Sequence, residues 1–118
     1  MPKKVMVVDD DRTMNSLLKT LLELDGFVVV SASRGELVMA LALAEKPDAV
    51  LMDVRIAEAD GLDLLREMRR HPELRNLPVI MCSGMDLQEE SRVAGANAFI
   101  LKPYPPEQLT STLKKVIL

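Results

Sequence analysis

Residues 5–11 read Val-Met-Val-Val-Asp-Asp-Asp, an apolar run that stops abruptly in three carboxylates. A solid run of this kind, without polar alternation, marks a strand buried on both faces, as in a parallel sheet. Short runs of the same type recur at Val28–Val30, Ala49–Met52, Val79–Cys82 and Ala98–Leu101.

Helical periods lie between these runs. Met14, Leu17, Leu18, Leu21 and Leu22 mark one face of a first helix, closed by Asp25-Gly26. Leu37, Ala40, Leu41 and Ala44 give a second, ended near Pro47. Leu62, Leu65 and Met68 give a third, entered through Asp60-Gly61 and ended before Pro72. A short fourth helix covers about Leu87–Ala94 and stops at Gly95. The last begins at Pro105-Pro106, where proline suits a first turn, and its apolar face is Leu109, Leu113, Val116 and Ile117. Strand and helix alternating in this way predict an α/β fold: a doubly wound parallel sheet with helices on both faces and right-handed crossovers.

At 118 residues the chain has room for one domain, expected over residues 1–118. Its 48% apolar and 28% charged residues are globular rather than disordered composition. A net charge of −3 argues against direct nucleic-acid binding. Cys82 is the only cysteine, which excludes an internal disulfide and a multi-cysteine zinc site. The longest apolar run, Leu37–Ala44, is too short to span a bilayer, and the N-terminus lacks the apolar stretch of a signal peptide. A cytoplasmic location without membrane contact is therefore expected.

In doubly wound sheets, ligands sit at the carboxyl ends of the strands, where the winding direction reverses. The first run ends in Asp9-Asp10-Asp11, the third in Asp53, the fourth in Ser83 and the fifth in Lys102-Pro103. Each residue has a plain structural reading: Asp11 as a helix cap, Ser83 as a turn partner, Lys102 as a solvated cation. Together on one edge they make a coherent chemical set. Clustered carboxylates repel one another, and a hard divalent cation such as Mg²⁺ removes that repulsion. A lysine and a serine hydroxyl can hold phosphate oxygens, leaving Asp53 as a carboxylate nucleophile for phosphoryl transfer.

With these residues in place, the chain resembles the receiver domain of two-component response regulators, in the compact layout of the chemotaxis receiver. The motifs are VMVVDDD, GFVVVSASRG, PDAVLMD, DGLDLLREMR, LPVIMCSG and AGANAFILKPY, which together cover the whole chain. The resemblance implies a five-stranded flavodoxin-like sheet in the order 2-1-3-4-5 within a three-layer sandwich. It implies Asp53 as the phosphoacceptor, Asp10 and Asp9 with Asp53 and the backbone carbonyl of Arg55 as the Mg²⁺ site, and Lys102 as the partner of the phosphoryl oxygens. It also implies Ser83 and Phe99 as switch residues and a cis bond at Pro103. The implied function is to accept a phosphoryl group from a sensor histidine kinase or a phosphotransfer protein, not to act as an enzyme on a separate substrate. The output would pass to an unnamed effector, or to a second copy, through the fourth helix, fifth strand and fifth helix.

The chain departs from the family pattern in three places. Ala57 stands where a proline usually follows Asp53, and is expected to leave the Val54–Asp60 loop less rigid, because alanine does not fix φ. Arg55 is a long cation two residues beyond Asp53, whose side chain either covers the acyl phosphate or points to solvent. Ser83 and Lys102 are 19 residues apart; the family spacing is longer by roughly one helical turn.

Two other readings remain open at this point. Asp9-Asp10-Asp11-Arg12-Thr13 satisfies the D-x-D-x-T pattern of haloacid-dehalogenase-type phosphatases, with Asp9 as nucleophile and Asp11 as acid/base. A receiver-like module that binds partners without being phosphorylated is the other. Elsewhere, Arg66, Arg69, Arg70 and His71 read as a solvated helix end, and Met6, Met52, Met81 and Cys82 as core.

Overall fold

Along β1 (Lys4–Val8), Val5 and Val7 point to one side of the sheet and Met6 and Val8 to the other, and each side meets its own helices. The computed structural model describes residues 2–117. After β1 come α1 (Arg12–Leu24), β2 (Val28–Ala32), a short 3-10 turn (Gly35–Leu37), α2 (Val38–Glu45) and β3 (Ala49–Asp53). A small hairpin of β4 (Arg55–Ile56) and β5 (Ala59–Asp60) leads into α3 (Gly61–Arg70), β6 (Val79–Ser83), α4 (Gln88–Ala94), β7 (Ala98–Leu101) and α5 (Pro106–Ile117). The main sheet is all-parallel, in the order β2-β1-β3-β6-β7. With the hairpin set aside, this is the expected 2-1-3-4-5 order.

The three layers follow from strand alternation. Val5, Val7, Leu51, Ile80 and Ile100 pack on Leu18 and Leu22 of α1 and Leu109 and Leu113 of α5. Met6, Val50, Met52, Val79 and Met81 pack on Val38 and Ala42 of α2, Leu65 and Met68 of α3, and Ala94 of α4. Met6, Met52, Met68 and Met81 are all buried in this second layer, beside the small side chains of Ala42 and Ala94.

Burial on both faces holds for the three inner strands but not for the edges. Val28 of β2 is 41% exposed and Leu101 of β7 is 47% exposed, because an edge strand has a neighbour on one side only. The face expected for α2 is also corrected. Leu37, Ala40 and Ala44 face solvent, while Val38 and Ala42 are buried. Residues 37–44 are apolar throughout, so helical spacing could not select the buried side.

The Val54–Asp60 segment folds as a small hairpin pairing Arg55 with Asp60 and Ile56 with Ala59. Its turn places Ala57 at φ +53, a left-handed conformation that proline cannot adopt. The short helix α4 ends at Gly95, whose φ of +109 serves as a left-handed stop. The Lys102–Pro103 bond is cis, as expected. Among the described residues, no helix is long and apolar enough to cross a membrane.

Candidate functional site

The register of the sheet assembles the site. β1 and β3 align Val8 with Met52, so Asp9 and Asp53 leave adjacent strands at the same level. This is the crevice where the chain winds to opposite sides. β3 and β6 then pair Asp53 with Cys82, and β6 and β7 pair Ser83 with Leu101, which delivers Lys102 next. The Lys102 N–H donates to the carbonyl of Ser83 at 2.8 Å, fixing that lysine at the edge.

Local bonds hold the acidic end of β1. The Asp11 N–H donates to Asp9 Oδ1 at 2.9 Å, and Asn15 Nδ2 donates to the Asp9 carbonyl at 2.8 Å. Asp11 itself caps α1, accepting from the Thr13 and Met14 N–H groups at 2.9 and 3.2 Å. With its carboxylate spent there, Asp11 is not placed as an acid/base, and the phosphatase reading is not favoured.

Carboxylate oxygens of Asp9, Asp10 and Asp53 lie within 4.8 Å of one another. Asp9 and Asp53 are buried and Asp10 is exposed. Lys102 Nζ lies 2.7 Å from Asp53 Oδ1 and 3.6 Å from Asp9 Oδ2. Burial pushes the Asp9 carboxyl above the ordinary aspartate range; the Asp11 N–H opposes this, and the neighbouring Asp53 adds to it. Burial also works against the Lys102 ammonium, but its hydrogen bond to Asp53 and the surrounding negative charge outweigh it and hold the ammonium above its usual value. Three all-oxygen donors that repel one another, one open to solvent, suit a hard divalent cation that keeps part of its water.

Ser83 is half-buried, and its hydroxyl oxygen accepts from the Met85 N–H at 3.0 Å. Phe99 is half-buried on β7 and packs toward the α2–α4 side. Arg55 is exposed and forms no ion pair among the described residues.

Several contributors were not legible from the sequence. Cys82 Sγ lies 2.8 Å from Asp53 Oδ1; the signal was the parallel register, which puts two strand-end residues side by side. Burial, then the charge of Asp53, push this thiol well above its usual value, so it is protonated at neutral pH. Gly61 closes against the acceptor strand: a Cβ there would meet the Asp53 carbonyl oxygen at 2.1 Å. Arg69, read as solvated, is instead half-buried and donates to the carbonyls of Gly95 and Leu74 and to Asn97 Oδ1, at 2.9, 3.1 and 3.1 Å.

A family model described as the response regulator receiver domain matches residues 5–114. The polar-differentiation response regulator DivK of Brucella anthropi is 31% identical, over 99% of this chain and 98% of its own length. The alkaline phosphatase synthesis transcriptional regulatory protein PhoP of Bacillus subtilis is also 31% identical, over 99% of this chain. The chain spans about half of that protein's length, 49%. The solved structure of the chemotaxis response regulator CheY4 of Vibrio cholerae superposes with a TM-score of 0.91 at 25% identity, covering 98% of this chain and 99% of that one.

Proposed function

The chain belongs to the response regulator receiver domain family of two-component signalling, and from that premise we propose that it takes a phosphoryl group onto the carboxylate of Asp53. The observation that carries this reading is the placement of that carboxylate. It is buried at the winding reversal, within 4.8 Å of the Asp9 and Asp10 oxygens and 2.7 Å from Lys102 Nζ. A phosphohistidine of a sensor kinase or a phosphotransfer protein is the natural donor. An Asp53 oxygen forms the new O–P bond while the P–N bond breaks, and the electron pair leaves with the imidazole.

Asp9, Asp10 and Asp53, with the carbonyl of Arg55, would hold Mg²⁺. When bound, it neutralises charge gathering on the phosphoryl oxygens. Lys102 supplies a second positive charge from the other side, as a point donor to a phosphoryl oxygen. Ser83 keeps its hydroxyl proton free to donate to a third oxygen, while its own oxygen accepts from Met85. Movement of Ser83 toward the phosphoryl group would draw the β6–α4 loop with it and shift the position of Phe99 on β7.

The same module, over residues 1–118, acts as a phosphoacceptor that assists its own phosphorylation and dephosphorylation rather than as an enzyme on a separate substrate. Exposed Met85, Val93 and Leu101 offer an apolar surface around α4 and β7 for an effector or a second copy.

The test is intact-mass measurement after incubation with Mg²⁺ and acetyl phosphate. One phosphoryl adduct is expected, absent in Asp53→Asn and retained in Asp11→Asn. No adduct on the native chain, or an adduct that survives Asp53→Asn, overturns the assignment.

A further inference from the structure

The two oxygens of Asp53 are not equivalent. Oδ1 forms an ion pair with Lys102 Nζ at 2.7 Å and accepts from Cys82 Sγ at 2.8 Å. Oδ2 accepts from no donor among the described residues. Cys82 stands directly opposite Asp53 in the β3–β6 register and is only 3% exposed. The thiol is thus largely shielded from solvent, and its other acceptor, the Met52 carbonyl, is farther away at 3.8 Å.

A carboxylate turns easily about its last bond, because that torsion is broad and two-fold. Lysine, on a long flexible stem, restrains one oxygen without fixing the carboxylate plane. A thiol on a one-torsion side chain, anchored in the neighbouring strand, can fix it. We propose that Cys82 is a positioning residue for phosphoryl transfer: its S–H group, with Lys102, holds Oδ1 and so leaves Oδ2 as the oxygen that attacks phosphorus. This rests on the reading of Asp53 as phosphoacceptor.

Two measurements test it. The first is the rate of adduct formation from acetyl phosphate at saturating Mg²⁺ in Cys82→Ser, Cys82→Ala and Cys82→Val. Ser retains a donor at the same branch point and is expected to stay near the native rate. Ala and Val lack a donor, Val while filling the space, and both are expected to slow by about 3- to 10-fold, the worth of one hydrogen bond. The second needs no phosphorylation and no change at Cys82. The infrared S–H stretching band belongs to Cys82 alone, since the chain has one cysteine. It is expected at a hydrogen-bonded frequency in the native protein and to move up in Asp53→Ala. A band indifferent to Asp53→Ala, or native rates in Cys82→Val, overturns the role of Cys82. A native chain that forms no adduct overturns instead the acceptor assignment on which it rests.

Discussion

The ammonium of Lys102 lies 2.7 Å from Oδ1 of Asp53 and also reaches Asp9, so one cation is shared by two buried carboxylates. Neutralising it exposes their repulsion. Lys102→Met is expected to lower the melting temperature in EDTA, and saturating Mg²⁺ to restore more stability to this variant than to the native chain. Asp9→Asn is expected to do the opposite: it raises the melting temperature in EDTA, since Asp9 is held above its ordinary range by burial and by Asp53, and it weakens the Mg²⁺ response. In the native chain, Mg²⁺ at about 100 times its Kd should add ~2.7 kcal/mol. Differential scanning calorimetry with and without EDTA reads all three.

The hairpin after Asp53 turns through Ala57 at φ +53. A left-handed alanine costs roughly 1 kcal/mol, which glycine avoids. Ala57→Gly is therefore expected to stabilise by up to that amount. Ala57→Pro, which restores the residue usual in the family, is expected to destabilise, because proline holds φ near −65°. Urea titration at constant m-value distinguishes these signs; equal stability of the Gly and Pro variants would contradict the turn geometry.

Gly61 allows α3 to start against the acceptor strand. Since a Cβ there would sit 2.1 Å from the Asp53 carbonyl oxygen, Gly61→Ala must push the backbone that carries the acceptor. A loss of about 2 kcal/mol is expected, with a slower rate of adduct formation in the variant that remains folded.

Arg69 joins α3 to Gly95, Leu74 and Asn97 through three hydrogen bonds. Arg69→Ala is expected to cost about 2 kcal/mol and to speed amide exchange around Gly95–Asn97, at the end of α4. Arg69→Lys should not rescue it, because an ammonium cannot span the fork of acceptors that a planar guanidinium reaches. Full protection of those amides in Arg69→Ala would show that α4 is held without this clamp.

Burial raises the Tyr104 phenol from 10.0 to about 12. For a group raised on folding, the neutral form is the one the fold favours. Its stabilising share is complete below pH 10 and lost as pH climbs through the folded value. The native chain should thus lose more stability than Tyr104→Phe between pH 10 and about 12. Parallel alkaline curves for the two would sink the assignment.

Where the residue pattern was periodic and punctuated, the fold could be read directly. The solid runs became the five strands, and Leu62, Leu65 and Met68 became the buried face of α3. Where the pattern was degenerate it failed: residues 37–44 fit any helical phase, and the buried side was decided by what α2 packs against. The hairpin at Arg55–Asp60 carries no strand-length pattern, and its order depends on a left-handed turn that composition does not announce. Arg69 looked like any basic residue near a helix end, since its acceptors lie 5 to 28 positions away along the chain.

The sequence by itself determined the chemical inventory and the edge on which it gathers. Strand ends are local, and Asp9, Asp10, Asp53, Ser83 and Lys102 each lie at or just past the end of an apolar run of the kind a parallel sheet buries. The tertiary structure decided the distances and the division of labour. It set Asp11 apart as a cap, joined Lys102 to two carboxylates, and brought the Cys82 thiol to the same oxygen of Asp53. The reason is register: which residue faces which across neighbouring strands depends on how whole layers pack, and no single stretch of the chain contains that information.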